Sequence, residues 1–409
     1  MQQNIDQEES NDGDVGGHSV AVIRRPGWRR RGLFIAVAIL LGASLGVLIA
    51  EAALRIYVAA RGWTPNCYAT GISFFVPHPQ AGYMLRPGLR VRSSTYDITV
   101  NSRGLRGPEI PSAKSPDVVR ILVVGGSAVF GYLVPDAQDP CRMLEACLRE
   151  RGHRVEVINA GVPGYNVTQC RARLQADLAP LRPDVVLVYS GWNDIPWLIA
   201  GAAPLHRRVT PAPPWWKRAL VHSTLYGFLR YRLFPPAEPV FTPPPAPGTR
   251  ITEAGAAVFE REYRELVRGI RQLGAIPVVS EQLTAACSGC SDVERFLGAS
   301  PEQVETNRRL GQWVQQAVRR IAEEEGAESV AVCGVVTCDG TTLGDAIHPT
   351  AVGYQAIVAR WCEALEPLLL QRRSSLGQTS SRNRAVEHAG GSREADEGDR
   401  SDPVAETDG

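Results

Sequence analysis

From residue 117 onward the sequence predicts an α/β fold, a three-layer α/β/α sandwich around a central parallel sheet, with one transmembrane helix ahead of it. Three observations predict this. Continuous apolar runs such as Val118 to Val124 alternate with longer stretches of helical period, glycine-bearing turns follow several of those runs, and an uncharged run from Leu33 to Ala50 stands directly behind five arginines. A strand that is apolar at every position needs cover on both faces, which a parallel sheet wrapped by helices supplies. Strict alternation of strand and helix in turn implies right-handed crossovers.

Residues Met1 to Ile23 are polar and form a disordered leader, which with Arg24, Arg25, Arg29, Arg30 and Arg31 makes a cytoplasmic segment over 1–32. The run 33–50 is long enough to span a bilayer and places everything after it on the far side. A cleaved signal peptide is the competing reading, because Ala50-Glu51-Ala52 fits a small-x-small cleavage pattern and Arg30-Arg31 resembles a twin-arginine signal. Both readings export the rest of the chain. Residues 51–116 read as a stalk or accessory segment, with period-two alternation from Arg90 to Val100 marking a strand or hairpin that packs on the main domain.

The main domain is expected over 117–370. Its strands are Val118 to Val124, Val155 to Ile158, Asp184 to Ser190, Ile276 to Ser280 and Ser329 to Val332. Its helices are Asp139 to Arg151, Thr168 to Leu181, Glu253 to Leu273, Pro301 to Glu325 and Thr350 to Leu369. A Pro-rich insertion at about 195–252 interrupts the pattern; its middle, Trp215 to Phe234, has helical spacing with Lys217, Arg218, Arg230 and Arg232, and reads as a cap helix or a membrane-surface helix. From 371 to 409 the composition predicts a disordered tail.

Charge and cysteines narrow the classes. With 44 basic against 43 acidic side chains the net charge is +1, so no whole-protein field draws the chain to nucleic acid. Nine cysteines suit an oxidising compartment and, being odd in number, leave at least one unpaired. Local pairs within Cys287-Ser-Gly-Cys290 and Cys333-x4-Cys338 are one expectation, with Cys141, Cys147 and Cys170 pairing around the first helices. Connectivity stays open. A zinc site built from the two close pairs is disfavoured by the loose second spacing and by export.

In open parallel sheets ligands bind at the carboxyl ends of the strands. Four loops there carry chemistry. Gly125-Gly126-Ser127 sets a hydroxyl on a tight turn at a helix start; Asn159-Ala160-Gly161-Val162-Pro163-Gly164 allows close backbone approach; Gly191-Trp192-Asn193-Asp194 projects a side-chain amide; and Asp345-Ala346-Ile347-His348 spaces a carboxylate so that it can hold an imidazole. Each alone is commonly a turn or a cap. Together, in this order, they resemble the SGNH (GDSL-like) hydrolase family, named for a Ser, a Gly, an Asn and a His in four blocks, over roughly Ile121 to Leu369. Gly126 stands where the commonest form has Asp. The stretch Asn101-Ser102-Arg103-Gly104-Leu105-Arg106-Gly107-Pro108-Glu109 also resembles a segment ahead of the nucleophile in membrane-anchored bacterial relatives.

The resemblance implies a flavodoxin-like sandwich and a serine esterase. Ser127 is then the nucleophile, His348 the base, Asp345 its orienting acid, and Ser127, Gly161 and Asn193 the oxyanion hole. It calls for no cofactor and no metal. Substrates would be O-acetylated glycans or lipids near the cell surface, and the bilayer is a partner through the N-terminal helix. An O-acetyltransferase of surface polysaccharide is the alternative, ahead of an inactive glycan-binding protein. A nucleotide binder lacks the longer glycine fingerprint.

Overall fold

A computed structural model of the chain describes residues 27–62, 74–92, 97–111, 113–132, 134–201, 215–220, 222–233, 249–291, 296–298 and 300–391. The leader up to residue 26, the Pro-rich stretches 202–214 and 234–248, and 392–409 lie outside them.

Helix α1 runs over Trp28–Ala60, longer than the expected 33–50 at both ends. No proline or glycine follows Gly46 before Gly62, and Glu-Ala-Ala-Leu-Arg continues the helix without a breaker. Its Arg30–Ala60 stretch has a mean hydropathy of 2.7 and is long and apolar enough to cross a membrane.

The folded body is built on a five-stranded parallel sheet in the order β6-β5-β7-β8-β9, with β5 Val119–Gly125, β6 Val155–Gly161, β7 Val185–Tyr189, β8 Ile276–Ser280 and β9 Glu328–Val330. Side chains alternate across β5. Leu122 and Val124 join a core with Leu266, Val267, Val314 and Ile321, whereas Ile121 and Val123 join one with Leu144, Leu148, Ile357 and Trp361. One face is therefore covered by α4 (Val167–Arg173), α8 (Glu253–Gln272) and α9 (Pro301–Glu324), and the other by α3 (Pro140–Glu150) and α10 (Ala351–Gly391). Each fully buried Val or Leu contributes about 1.5–3 kcal/mol, so the two cores, not strand propensity, hold the layers.

The accessory segment forms two antiparallel hairpins, β1 (Phe75–His78) with β2 (Gly82–Leu85) and β3 (Arg90–Arg92) with β4 (Asp97–Thr99). Their apolar side chains Tyr83, Leu85, Val91 and Ile98 are buried in the same core as Leu122 and Val124. Within the insertion, α6 (Trp215–Leu220) and α7 (Thr224–Leu233) replace the single expected helix, broken around Ser223. α10 continues to Gly391, past the expected end at Leu369, because no proline follows Pro367 before Gly391.

The cysteines pair differently from the local expectation. Cys287 joins Cys333, Cys290 joins Cys338, and Cys147 joins Cys362, so each bond ties segments distant in sequence. Crossed pairing arises because the loop after β8 lies beside the segment after β9, as neighbouring parallel strands require. Cys141 and Cys170 are buried free thiols, and Cys67 lies outside the described residues.

Candidate active site

Three glycine-rich strand ends meet at the carboxyl edge of the sheet. Gly125 at the end of β5 is in register with Gly161 of β6 and Tyr189 of β7. A Cβ on Gly125 would stand 2.2 Å from the Tyr189 carbonyl oxygen, so only glycine lets the chain turn here into α2 (Ser127–Phe130). Ser127 opens that helix, where the first N–H groups have no intrahelical acceptor, and is only 7% exposed.

Ser127 and His348, 221 residues apart, are joined by a hydrogen bond of 2.7 Å between Oγ and Nε2. Nδ1 of His348 lies 2.6 Å from Oδ2 of Asp345. A carboxylate only accepts, so Nδ1 carries the proton and Nε2 is left to accept from the Ser127 hydroxyl. The other carboxylate oxygen, Oδ1, accepts from the backbone N–H groups of Ile347 at 2.9 Å and His348 at 2.8 Å. Burial opposes ionisation of Asp345, but the His348 contact and these two N–H groups more than offset it, holding the carboxyl below the usual aspartate value. Tyr132 packs on the imidazole with ring centroids 4.7 Å apart.

Asn193 follows β7 on a short turn whose first residue, Gly191, has φ 148°. Its Nδ2 donates to the Tyr165 carbonyl at 2.9 Å, which leaves the second amide hydrogen available. A Cβ on Gly126 would stand 2.6 Å from that nitrogen. Any side chain at residue 126 would therefore have to shift the Asn193 amide. Asp194, 2% exposed, accepts from the Val167 N–H with both oxygens at 3.2 Å and so ties the Asn193 turn to the start of α4; burial pushes its carboxyl well above the usual range.

Gly161 does not fit the donor role expected of it. Its N–H is taken by Oδ1 of Asn159 at 2.9 Å, and a Cβ there would meet the Phe130 nitrogen at 2.3 Å. The residue is glycine so that β6 can pass beneath α2. Three residues on, Gly164 is half-buried with φ 82°, and among the described residues its N–H meets no acceptor. The signal for it was present in the same loop, where the second glycine follows Pro163 in a turn that needs positive φ.

A hydroxyl, an imidazole and a carboxylate in relay at the carboxyl edge of a parallel sheet define the serine-hydrolase class of site. The GDSL-like Lipase/Acylhydrolase family matches residues 123–356, more than half of the chain, and the chain belongs to that family. An arylesterase from Vibrio mimicus is 36% identical over 83 residues, which are 20% of this chain and 42% of that protein, so the match spans less than half of the relative. Among solved structures, LAE5, an alpha/beta hydrolase enzyme from the metagenome of Lake Arreo, Spain, is 18% identical, with 60% of this chain and 94% of that chain covered and a TM-score of 0.39. An acetylxylan esterase from Geobacillus stearothermophilus is 16% identical, covering 61% and 94%, at a TM-score of 0.36.

Proposed function

We propose that this protein is a serine ester hydrolase, tethered to a membrane through α1 and working outside the cytoplasm on O-acetyl or related carboxylic esters of carbohydrate or lipid. The observation that carries the reading is the Ser127–His348–Asp345 relay, with contacts of 2.7 and 2.6 Å. His348 takes the Ser127 proton as Oγ attacks the ester carbonyl, and Asp345 stabilises the imidazolium. The oxyanion is held by the N–H groups of Ser127 and Gly164 and by the free hydrogen of the Asn193 amide. His348 then returns the proton to the leaving alcohol, and water attacks the acyl-enzyme by the reverse path. No cofactor or metal enters this scheme.

The three disulfides support an oxidising location, and the apolar Arg30–Ala60 helix supports the tether. The side chain of Asp345 is 47% exposed and that of His348 13%, so the base side of the site opens to solvent. A large alcohol such as a glycan can remain outside while its acyl group enters.

The test is hydrolysis of an aryl acetate by the full-length chain and by its Ser127→Ala form at matched folding. Activity is expected in the first and a fall of about 10⁴-fold or more in the second. Turnover that persists in Ser127→Ala would sink the assignment, and turnover that appears only with an added glycan acceptor would replace hydrolysis by acyl transfer.

A further inference from the structure

Helix α2 is four residues long, and one turn fixes many dihedrals for few hydrogen bonds, so it cannot hold its own shape. The carbonyls at its end need outside donors. Buried side chains supply them. The Tyr354 hydroxyl donates to the Ala128 carbonyl at 2.8 Å, and the Asn159 amide donates to that of Val129 at 2.8 Å. Arg106 Nη1 donates to those of Phe130 at 2.5 Å and Gly131 at 2.7 Å.

The same guanidinium reaches further. Its Nη2 donates to the Val134 carbonyl at 2.8 Å, and its Nε to Oδ1 of Asp136 at 3.0 Å, with Oδ2 of Asp139 at 3.3 Å. It lies 4.9 Å over the Phe130 ring, and the residue is 2% exposed. Among the carbonyls that it gathers sits Tyr132, the residue packed on His348. One side chain therefore braces both the helix that presents Ser127 and the turn that walls the base. Arg106 comes from the accessory segment, outside the residues 123–356 that match the family. Its backbone bridges to Val100 and to Asn159 of β6, which fixes the arginine's origin against the sheet edge.

We propose that Arg106 is a positioning residue for the reaction: its guanidinium sets the distance and angle between Ser127 and His348 by closing the end of α2 and holding the Gly131–Val134 turn. The accessory segment is thus a working part of the site and not only a stalk. The proposal rests on the esterase reading. A lysine at this position keeps the charge but not the planar fork that reaches several acceptors at once. Misplacement of reacting groups by about 1 Å costs about 100-fold in rate, so even partial loosening is measurable.

The experiment uses the full-length chain carrying Arg106→Lys, read by aryl acetate kcat and KM, by the rate at which a fluorophosphonate labels Ser127, and by thermal melting. The expected result is a fall of about ten-fold or more in kcat and in labelling rate, with KM within about two-fold and a melting point lowered by only a few degrees. Combined with Tyr132→Leu, the double variant should lose less than the product of the single losses, because both act through one turn. Wild-type kcat in a folded Arg106→Lys, or losses that simply multiply, overturns the proposal. Should Arg106→Lys fail to fold, Asp136→Asn decides, since it weakens the Nε anchor while its remaining amide oxygen can still accept from the Thr99 N–H that Asp136 Oδ2 holds at 2.7 Å: a fall of about two- to five-fold in kcat at constant KM supports positioning, and an unchanged kcat overturns it. A wild-type chain labelled at Ser127 but inert on every ester defeats the esterase reading, while the labelling rates still judge Arg106.

Discussion

Ser127 and His348, the proposed nucleophile and base, are held in opposite ways. Ser127 sits on a helix of one turn whose carbonyls are gripped by Arg106, Asn159 and Tyr354, residues drawn from before, beside and far after it in sequence. The segment carrying Asp345 and His348 has no helix or strand, yet most of its bonds are local. Asp345 accepts from Ile347 and His348, the Gly344 N–H donates to the His348 carbonyl at 2.9 Å, and the Thr350 N–H donates to that of Thr342 at 2.9 Å. Among the described residues its ties outward, beyond the His348–Ser127 bond and the Tyr132 ring, are a hydrogen bond from the Ala285 N–H to the Ala346 carbonyl at 2.8 Å and the neighbouring Cys290–Cys338 bond. A local turn keeps its geometry when its surroundings change, whereas a helix built on distant side chains does not. Substitutions far from Ser127 should therefore reach the chemistry, and substitutions far from His348 should mostly reach stability.

The largest effect should come from the relay itself. His348→Ala is expected to lower kcat by about 10⁴-fold or more with folding kept, measured by steady-state hydrolysis beside circular dichroism. Asp345→Asn should fall short of the roughly 10⁴-fold seen for buried orienting acids, because solvent reaches its half-exposed carboxylate. On the nucleophile side, Asn193→Ala should cost about 100 to 1,000-fold in kcat at a nearly unchanged melting point; an unimpaired variant would remove Asn193 from the oxyanion hole.

The two glycines of one loop sharpen the comparison. Gly161→Ala forces a Cβ to 2.3 Å from the Phe130 nitrogen and should lower stability by about 1–3 kcal/mol, seen in chemical denaturation. Gly164→Ala strains a positive φ by about 1–2 kcal/mol but should act mainly on kcat. If both changed only stability, neither amide would face the oxyanion. Cys147→Ser with Cys362→Ser should cost about 2–5 kcal/mol and leave the folded enzyme's kcat close to normal, since that bond joins α3 to α10 away from the relay.

The smallest effect is on pH dependence. Asp345 has a folded pKa below its unfolded value near 3.9, so its stabilisation is fully present above about pH 5 and is lost as pH falls through the folded value. The melting-point gap between wild type and Asp345→Asn should thus be constant from pH 8 to about pH 5 and close below about pH 4. A gap that widened in acid would contradict the direction of the shift.

The same contrast explains what was legible. Asp345-x-x-His348 stood out because acid and base share one short turn, so spacing alone conveys their contact. The strands were found within one to three residues of their observed ends because continuous apolar runs need burial on both faces, whatever surrounds them. Gly161 was read as the facing donor because two glycines three residues apart look alike in sequence; in the structure Asn159 occupies its amide, which is why Gly164 takes that place in the proposal. The crossed disulfides were hidden for a similar reason: proximity along the chain favours Cys287 with Cys290, but strand neighbours β8 and β9 bring Cys333 and Cys338 closer.

By itself the sequence determined the order of strands and helices, the apolar N-terminal helix and the Ser, Asn, Asp and His at strand ends, since each follows from hydrophobic period or short-range spacing. Tertiary structure alone decided which glycine amide is free, which cysteines meet, and that Arg106 braces the helix carrying Ser127. Those depend on hydrogen bonds and contacts between residues tens to hundreds of positions apart, and no local pattern records which distant donor arrives at which carbonyl.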